Sequence, residues 1–475
     1  MASFLNHLFS YGLLLVLLWG KGTVFAQQKP NVLFIAIDDL NDYVSLLQDY
    51  PGIQTPNLDK FAKQAMTFTN AHTAAPLCNP SRTAVLTGFG PNRTGIHSNK
   101  DKIQDSEIAL AATFLPELFK AQGYLTLSAG KIFHSQPGDE RMKSIWDEEL
   151  GPKDYGPRPL TPSIPKSFKR HKNFDYQAWT GPDTDFPDVV NTEITIQRLK
   201  QTYEKPFFMA MGYYRPHNPW TAPKRYFDMY PLEEIQLPPV LDNDLDDLPA
   251  KGKKMAGDGL LFQQLKDSDH WRKTVQAYMA CITFMDDQLG QLLDALAQSP
   301  HAENTIVVLF SDHGFHLGEK THFAKHTIWE RSARTLMMMK VPKLTQPNSQ
   351  YSYPVSLLDL YPTLVDLCEL EAPSQELFGH SLRYALADPT QPAKRYAITI
   401  NTKGCSVRSK RWRYIDYGNG TGELYDLLND PHEWANLWQK RTYSDIKRRL
   451  KTWVPSGAEI PNYEEAEFLE TGTDG

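Results

Sequence analysis

Apolar and polar positions alternate in blocks along this chain, and three of the apolar blocks stop abruptly at residues able to do chemistry. In "NVLFIAIDDLN" the run Val32 to Ile37 ends in Asp38 and Asp39; "PFFMAMGYYRPH" runs into Arg215 and His217; "NTIVVLFSDHG" ends in Ser311, Asp312 and His313. Unbroken apolar runs of this length predict strands buried on both faces, as in mixed α/β sheets. Between them lie helical signals. "TPNLDKFAKQAM" has Thr55 placed as N-cap and Pro56 at the first helical position. "TFLPELFKAQG" closes on Gly123 and leads into a further strand, "YLTLSAGK", and the stretch from Trp271 to Leu296 has helical periodicity. Ligands in open α/β sheets bind beyond the carboxyl ends of the strands, so these polar tips are expected to converge on one site.

The pattern changes after Pro373. "VSLLDLYPTLVDLCEL" predicts the last helix of the larger unit, and "YAITINTKGCSVRSKRWRYIDY" alternates as short antiparallel strands with turns at Lys403-Gly404 and Ser409-Lys410. "GELYDLLNDPHEWANL" predicts a strand, a turn and a short helix, and the acidic "LPPVLDNDLDDLPAKGKK" a solvated loop. The expected organisation is therefore a signal peptide at 1–26, a large N-terminal domain at 27–373 and a C-terminal subdomain with a small antiparallel sheet at 374–475. The signal rests on the apolar run Tyr11 to Trp19 followed by Val24 and Ala26 at cleavage-site spacing. That run is shorter than the ~20 residues that span a bilayer, so no stable membrane anchor is expected.

A chain of 475 residues that is 41% hydrophobic can bury large cores, and its net charge of −6 offers no general attraction to nucleic acid or anionic membranes. Any anionic ligand must be drawn by a local site. Export permits disulfides among the four cysteines Cys78, Cys281, Cys368 and Cys405, but if Cys78 is consumed chemically at most one internal bridge is left.

Asp38, Asp39 and Asp312 would repel one another if brought together, unless a hard divalent cation neutralised them; so many protein oxygens suit calcium better than magnesium. Turn-forming aspartates are the ordinary alternative. "GKIFH" supplies Lys131 and His134, "RPHNPW" supplies His217 and "HFAKH" supplies Lys325, each just beyond a predicted strand end. Tyr213, Tyr214, Arg215 and Trp220 flank His217 and either contact a sugar or pack the strand end.

The stretch "CNPSRTAVLTG", with Cys78, Pro80, Ser81, Arg82, Thr87 and Gly88, resembles the signature of the type I sulfatases. "VLFIAIDDLN", "GKIFH", "GYYRPHNPW", "SDHGFHLGE" and "AKH" occur in the order of the iduronate-2-sulfatase-like branch, over roughly residues 30 to 440. The resemblance implies an alkaline-phosphatase-like α/β fold, a large mixed β-sheet flanked by helices, with a smaller C-terminal α+β subdomain. It implies that a formylglycine-generating enzyme oxidises Cys78 to formylglycine, whose hydrated form attacks sulfur with one hydroxyl and expels sulfate by ionising the other. It further implies one calcium ion at Asp38, Asp39, Asp312, His313 and residue 78, with Arg82 steadying the diol. Lys131 and Lys325 would hold sulfate oxygens, Lys325 or His217 would protonate the leaving alcohol, and His134 would act as base.

The implied activity is an exported sulfatase, periplasmic or secreted (lysosomal in a eukaryote), acting on a sulfated carbohydrate such as ulvan, fucoidan or an iduronate-containing glycosaminoglycan. Two other readings stand beside it: a phosphodiesterase or phosphonate monoester hydrolase of the same superfamily, and a non-enzymatic sugar-binding relative.

Overall fold

The computed structural model describes residues 29–455 except 48–49, 135–137, 170–172 and 394. The signal-peptide expectation at 1–26 lies outside the described residues.

An eight-stranded mixed sheet forms the centre. From one edge to the other its strands are Ser349–Tyr351, Met66–Phe68, Met337–Lys340, Thr305–Ser311, Asn31–Ile37, Phe207–Tyr213, Leu125–Gly130 and Glu148–Leu150. The Asn31–Ile37 strand runs parallel to both neighbours, Thr305–Ser311 and Phe207–Tyr213, and Leu125–Gly130 runs parallel to Phe207–Tyr213. All four apolar strands expected from sequence therefore sit side by side and point the same way. Their polar tips emerge along one edge of the sheet for that reason.

Alternation along the central strand builds two cores at once. Leu33, Ile35 and Ile37 face one apolar cluster and Val32, Phe34 and Ala36 the other. The first cluster is closed by the long helix His270–Gln298, through residues such as Val275, Ile282, Leu289 and Leu296. The second is closed by Cys78–Thr87, Leu115–Ala121 and Leu360–Leu367, using Val85, Leu118, Phe119 and Leu364.

Strands Ala397–Asn401, Gly404–Arg408, Trp412–Asp416 and Gly422–Asp426 form a separate antiparallel sheet in chain order. Its first strand docks on the segment before Cys78: Ile400 N donates to the Ala74 carbonyl (2.9 Å) and Thr399 Oγ1 to that of Thr73 (2.6 Å). Behind this sheet lies a buried ionic cluster. Lys320 Nζ donates to Asp244 Oδ1 at 2.5 Å and to the Glu433 carbonyl, Arg413 Nε lies 2.7 Å from Glu433 Oε1, and Arg408 and Arg413 both pair with Glu330.

Several expectations change. The acidic stretch near Leu237 is not wholly solvated: Asp244 is buried as the partner of Lys320, and Ala250–Ala256 is helical. Residues 427–440 carry no helix, and the helix comes later, at Ser444–Lys451, docked through buried Leu450. The first hairpin turn is Thr402-Lys403, one residue earlier than its glycine suggested. Thr55 makes no cap bond to the helix Pro56–Ala62, because its Oγ1 is engaged by Ser45 N at 3.1 Å and by the Ser45 hydroxyl. All four cysteines are buried and free, so no bridge forms.

Candidate active site

Cys78 is the first residue of the helix Cys78–Thr87, which is buried along its whole length and closed by Gly88 in the left-handed conformation (φ 75°). An N-terminal helical position exposes a side chain to the positive end of the helix dipole. Around the Sγ atom stand His313 Nε2 at 3.3 Å, Lys325 Nζ at 3.1 Å and Asp39 Oδ1 at 3.8 Å. Burial opposes ionisation of this thiol, but Lys131, Lys325 and His313, with a hydrogen bond from His134, hold it well below the ordinary cysteine range. The site stabilises an anion at this position.

The carboxylates are fixed by the chain turn after Ile37. Asp39 has φ 63°, an unusual conformation for an aspartate, and is held there by its carbonyl accepting from Tyr278 Oη (2.6 Å) and its amide donating to Asp312 Oδ1 (3.1 Å). Asp38 Oδ2 accepts from Lys131 Nζ at 2.6 Å. Burial and the Cys78 charge push the pKa of Asp38 up, yet Lys131, His217 and Arg82 together hold it below the usual carboxylate range.

Arg82 is 2% exposed and lies beneath these groups. It donates from Nε to Asp312 Oδ2 (2.7 Å), from one terminal nitrogen to Asp38 Oδ1 (3.3 Å), and from the other to the carbonyls of Lys131 and Ile132. These acceptors occupy the guanidinium, so Arg82 braces the carboxylates and does not bond Sγ. Lys131 reaches its place because its backbone crosses directly over the neighbouring strand: a Cβ on Gly212 would come within 2.0 Å of the Lys131 carbonyl oxygen. His217 Nε2 lies 3.9 Å from Asp39 Oδ2, and Lys325 Nζ lies 2.7 Å from Asp39 Oδ1. Burial lowers the pKa of His134 despite its contact with Cys78, which favours the neutral ring.

All ten residues singled out from sequence thus meet at one place. Asp38, Cys78, Asp312 and His313 present ligand atoms within 4.8 Å of one another, as do Asp38, Asp39, Cys78 and His217. Asp39 Oδ2 is buried with no hydrogen-bond partner. An orphaned carboxylate oxygen amid two further carboxylates and an imidazole fits a divalent cation.

Sequence reasoning missed two participants. Asp188 accepts from the amides of Tyr214 (2.8 Å) and Arg215 (3.0 Å), and so sets the turn that carries His217; burial raises its pKa to about 6. Tyr155 Oη accepts a hydrogen bond from Lys131 Nζ at 2.7 Å, and it comes from a proline- and glycine-rich stretch with no periodic signal. Of the residues flanking His217, Tyr213, Arg215 and Trp220 are buried packing groups, with Arg215 Nε bonded to the Thr221 carbonyl and Trp220 among Phe174, Tyr278 and Phe315. Tyr214 alone of the four lines the adjoining cavity, whose volume is about 550 Å³.

Residues 30–370 match the family model described as Sulfatase, and residues 318–457 match that described as N-sulphoglucosamine sulphohydrolase, C-terminal. A sulfatase from Formosa agariphila is 39% identical over 444 residues, covering 90% of this chain and 86% of the relative. Iduronate 2-sulfatase from Mus musculus is 30% identical, covering 89% and 79%. Among solved structures, a 2-O GAG sulfatase superposes with TM-score 0.68 at 23% identity over 90% of this chain and 91% of the other. A phosphonate monoester hydrolase from Silicibacter pomeroyi superposes with TM-score 0.72 at 18% identity, covering 89% and 94%.

Proposed function

The chain belongs to the sulfatase family, and from that premise we propose that it hydrolyses the sulfate esters of a sulfated carbohydrate after conversion of Cys78 to formylglycine. Membership makes it a sulfuric ester hydrolase; the sugar is supported by the names of relatives such as iduronate 2-sulfatase. The observation that carries the reading is the focusing of Lys131, Lys325 and His313 on the atom at the head of a buried helix.

Asp38, Asp39, Asp312 and His313 would hold calcium. That ion would polarise sulfate oxygens, and the hydrated aldehyde of residue 78 would supply the attacking hydroxyl. Lys131 and Lys325 bind and orient the sulfate group through their ammonium protons. His134, kept neutral by burial, receives a proton from residue 78, and His217 or Lys325 delivers one to the leaving sugar oxygen. Arg82 keeps the carboxylates in register. Maturation by a formylglycine-generating enzyme, and export through the N-terminal signal to the periplasm or the exterior, complete the proposal.

In an active preparation the peptide containing Cys78 is expected to be lighter by about 18 Da, as the thiol becomes an aldehyde. Cys78→Ala is expected to lose activity by about 10³-fold or more. Full activity with an unmodified cysteine would refute the chemistry, and activity that survives thorough chelation would refute calcium. The fold shared with the phosphonate monoester hydrolase keeps one second reading open to test, and faster turnover of phosphate or phosphonate esters than of sulfate esters would favour it.

A further inference from the structure

Tyr155 belongs to an irregular segment that no motif covers, yet its hydroxyl lies at the reactive centre. Its Oη accepts a hydrogen bond from Lys131 Nζ at 2.7 Å, while Lys131 also donates to Asp38 Oδ2 at 2.6 Å. The phenol oxygen therefore acts as acceptor towards the protein, and no acceptor for its own proton lies among the described residues. The ring is wedged between two other groups of the site: its centroid is 4.7 Å from the His217 ring and 5.0 Å from that of Tyr214. Tyr155 also lines the cavity of about 550 Å³, together with Lys131, His134 and Tyr214. An unspent donor beside a cation that faces open volume is placed to meet an anion.

We infer that Tyr155 is a substrate-contacting residue, which donates its phenol proton to a sulfate oxygen of the ester while its ring fixes Lys131 and His217. The inference rests on the sulfatase reading above, and it adds a neutral donor to the charged groups that hold the sulfate. A neutral donor beside Lys131 adds directionality to the charge attraction of the ammonium group.

Tyr155→Phe keeps the ring and deletes only the hydroxyl, so it separates contact from packing; Tyr155→Ala removes both. The probes are inorganic sulfate, followed by calorimetry, and 4-nitrophenyl sulfate, followed by steady-state kinetics on the matured enzyme. Losing a hydrogen bond to a charged group predicts that Tyr155→Phe weakens sulfate binding and lowers kcat/KM roughly 10- to 100-fold, with Tyr155→Ala lower still. Sulfate affinity and kcat/KM of Tyr155→Phe within about twofold of wild type would overturn the inference, as would a wild-type enzyme that binds no sulfate. If wild type binds sulfate but cleaves no sulfate ester, the functional reading fails, and the affinity of Tyr155→Phe still decides the role of Tyr155.

Discussion

Two regions of this molecule bury the same kind of material and use it differently. At the strand tips, Asp38, Asp39 and Asp312 lie with Arg82, Lys131 and Lys325; behind the C-terminal sheet, Asp244, Glu330 and Glu433 lie with Lys320, Arg408 and Arg413. Both clusters hold three acids and three bases, and both place non-glycine residues at positive φ, Asp39 at 63° in one, Lys320 at 57° and Glu433 at 59° in the other. In the second cluster each charge closes on an opposite charge across the chain, and aromatic groups such as Tyr425, beneath Lys320, wall it in. In the first, Lys325 reaches past Asp39 to Cys78, and Asp39 Oδ2 is left without a hydrogen bond. Unspent valence, rather than buried charge as such, distinguishes a site from a joint.

Substitutions in each cluster test that distinction. The largest effect is expected from Arg82→Ala, which strips both Asp38 and Asp312 of a buried partner. Breaking such pairs costs about 3–5 kcal/mol, and kcat/KM should fall at least about 100-fold because the carboxylates lose their register. Thermal unfolding and steady-state kinetics measure the two losses, and near-normal turnover by Arg82→Ala would erase the contrast. Lys320→Met is expected next: it leaves Asp244 unpaired and should cost about 3 kcal/mol of stability, with kcat per folded molecule within about twofold of wild type. A Lys320→Met enzyme that is stable but inactive would make the second cluster part of the site.

The smallest effect is a pH dependence. Burial, opposed by Arg413, lifts the Glu433 carboxyl from 4.5 to about 7. The native state then binds this proton more tightly than the unfolded state, so the contribution of Glu433 to stability is lost as pH rises from about 4.5 to about 7. Glu433→Gln does not titrate and should flatten that part of the stability profile by about 1–3 kcal/mol relative to wild type. Parallel profiles for the two proteins would show that the carboxyl is not raised.

The two regions also differ in how far the sequence reveals them. The strand tips were legible because parallel, doubly buried strands read as continuous apolar runs, so the residue after each run is already located in space. Cys78 and Arg82 were legible through their resemblance to the sulfatase signature, which sets them one helical turn apart. Tyr155 was not, since its place depends on how an aperiodic segment folds back over Lys131. Lys320 and Glu433 were invisible for a related reason: their pairing is a long-range meeting of two chain segments, neither of which signals the other. Thr55 shows the converse, a correct local signal overridden when Ser45 took the hydroxyl that would have capped the helix.

Under the proposed conversion of Cys78 to formylglycine, the complete burial of that residue sets an order of events. A second enzyme that must grip residues 78 to 82 as substrate cannot do so once their helix is sealed against the sheet, with Arg82 locked below. Any conversion of that cysteine therefore belongs to the interval before this part of the chain closes, and a folded stock that missed the interval would have to be unfolded before it could be matured.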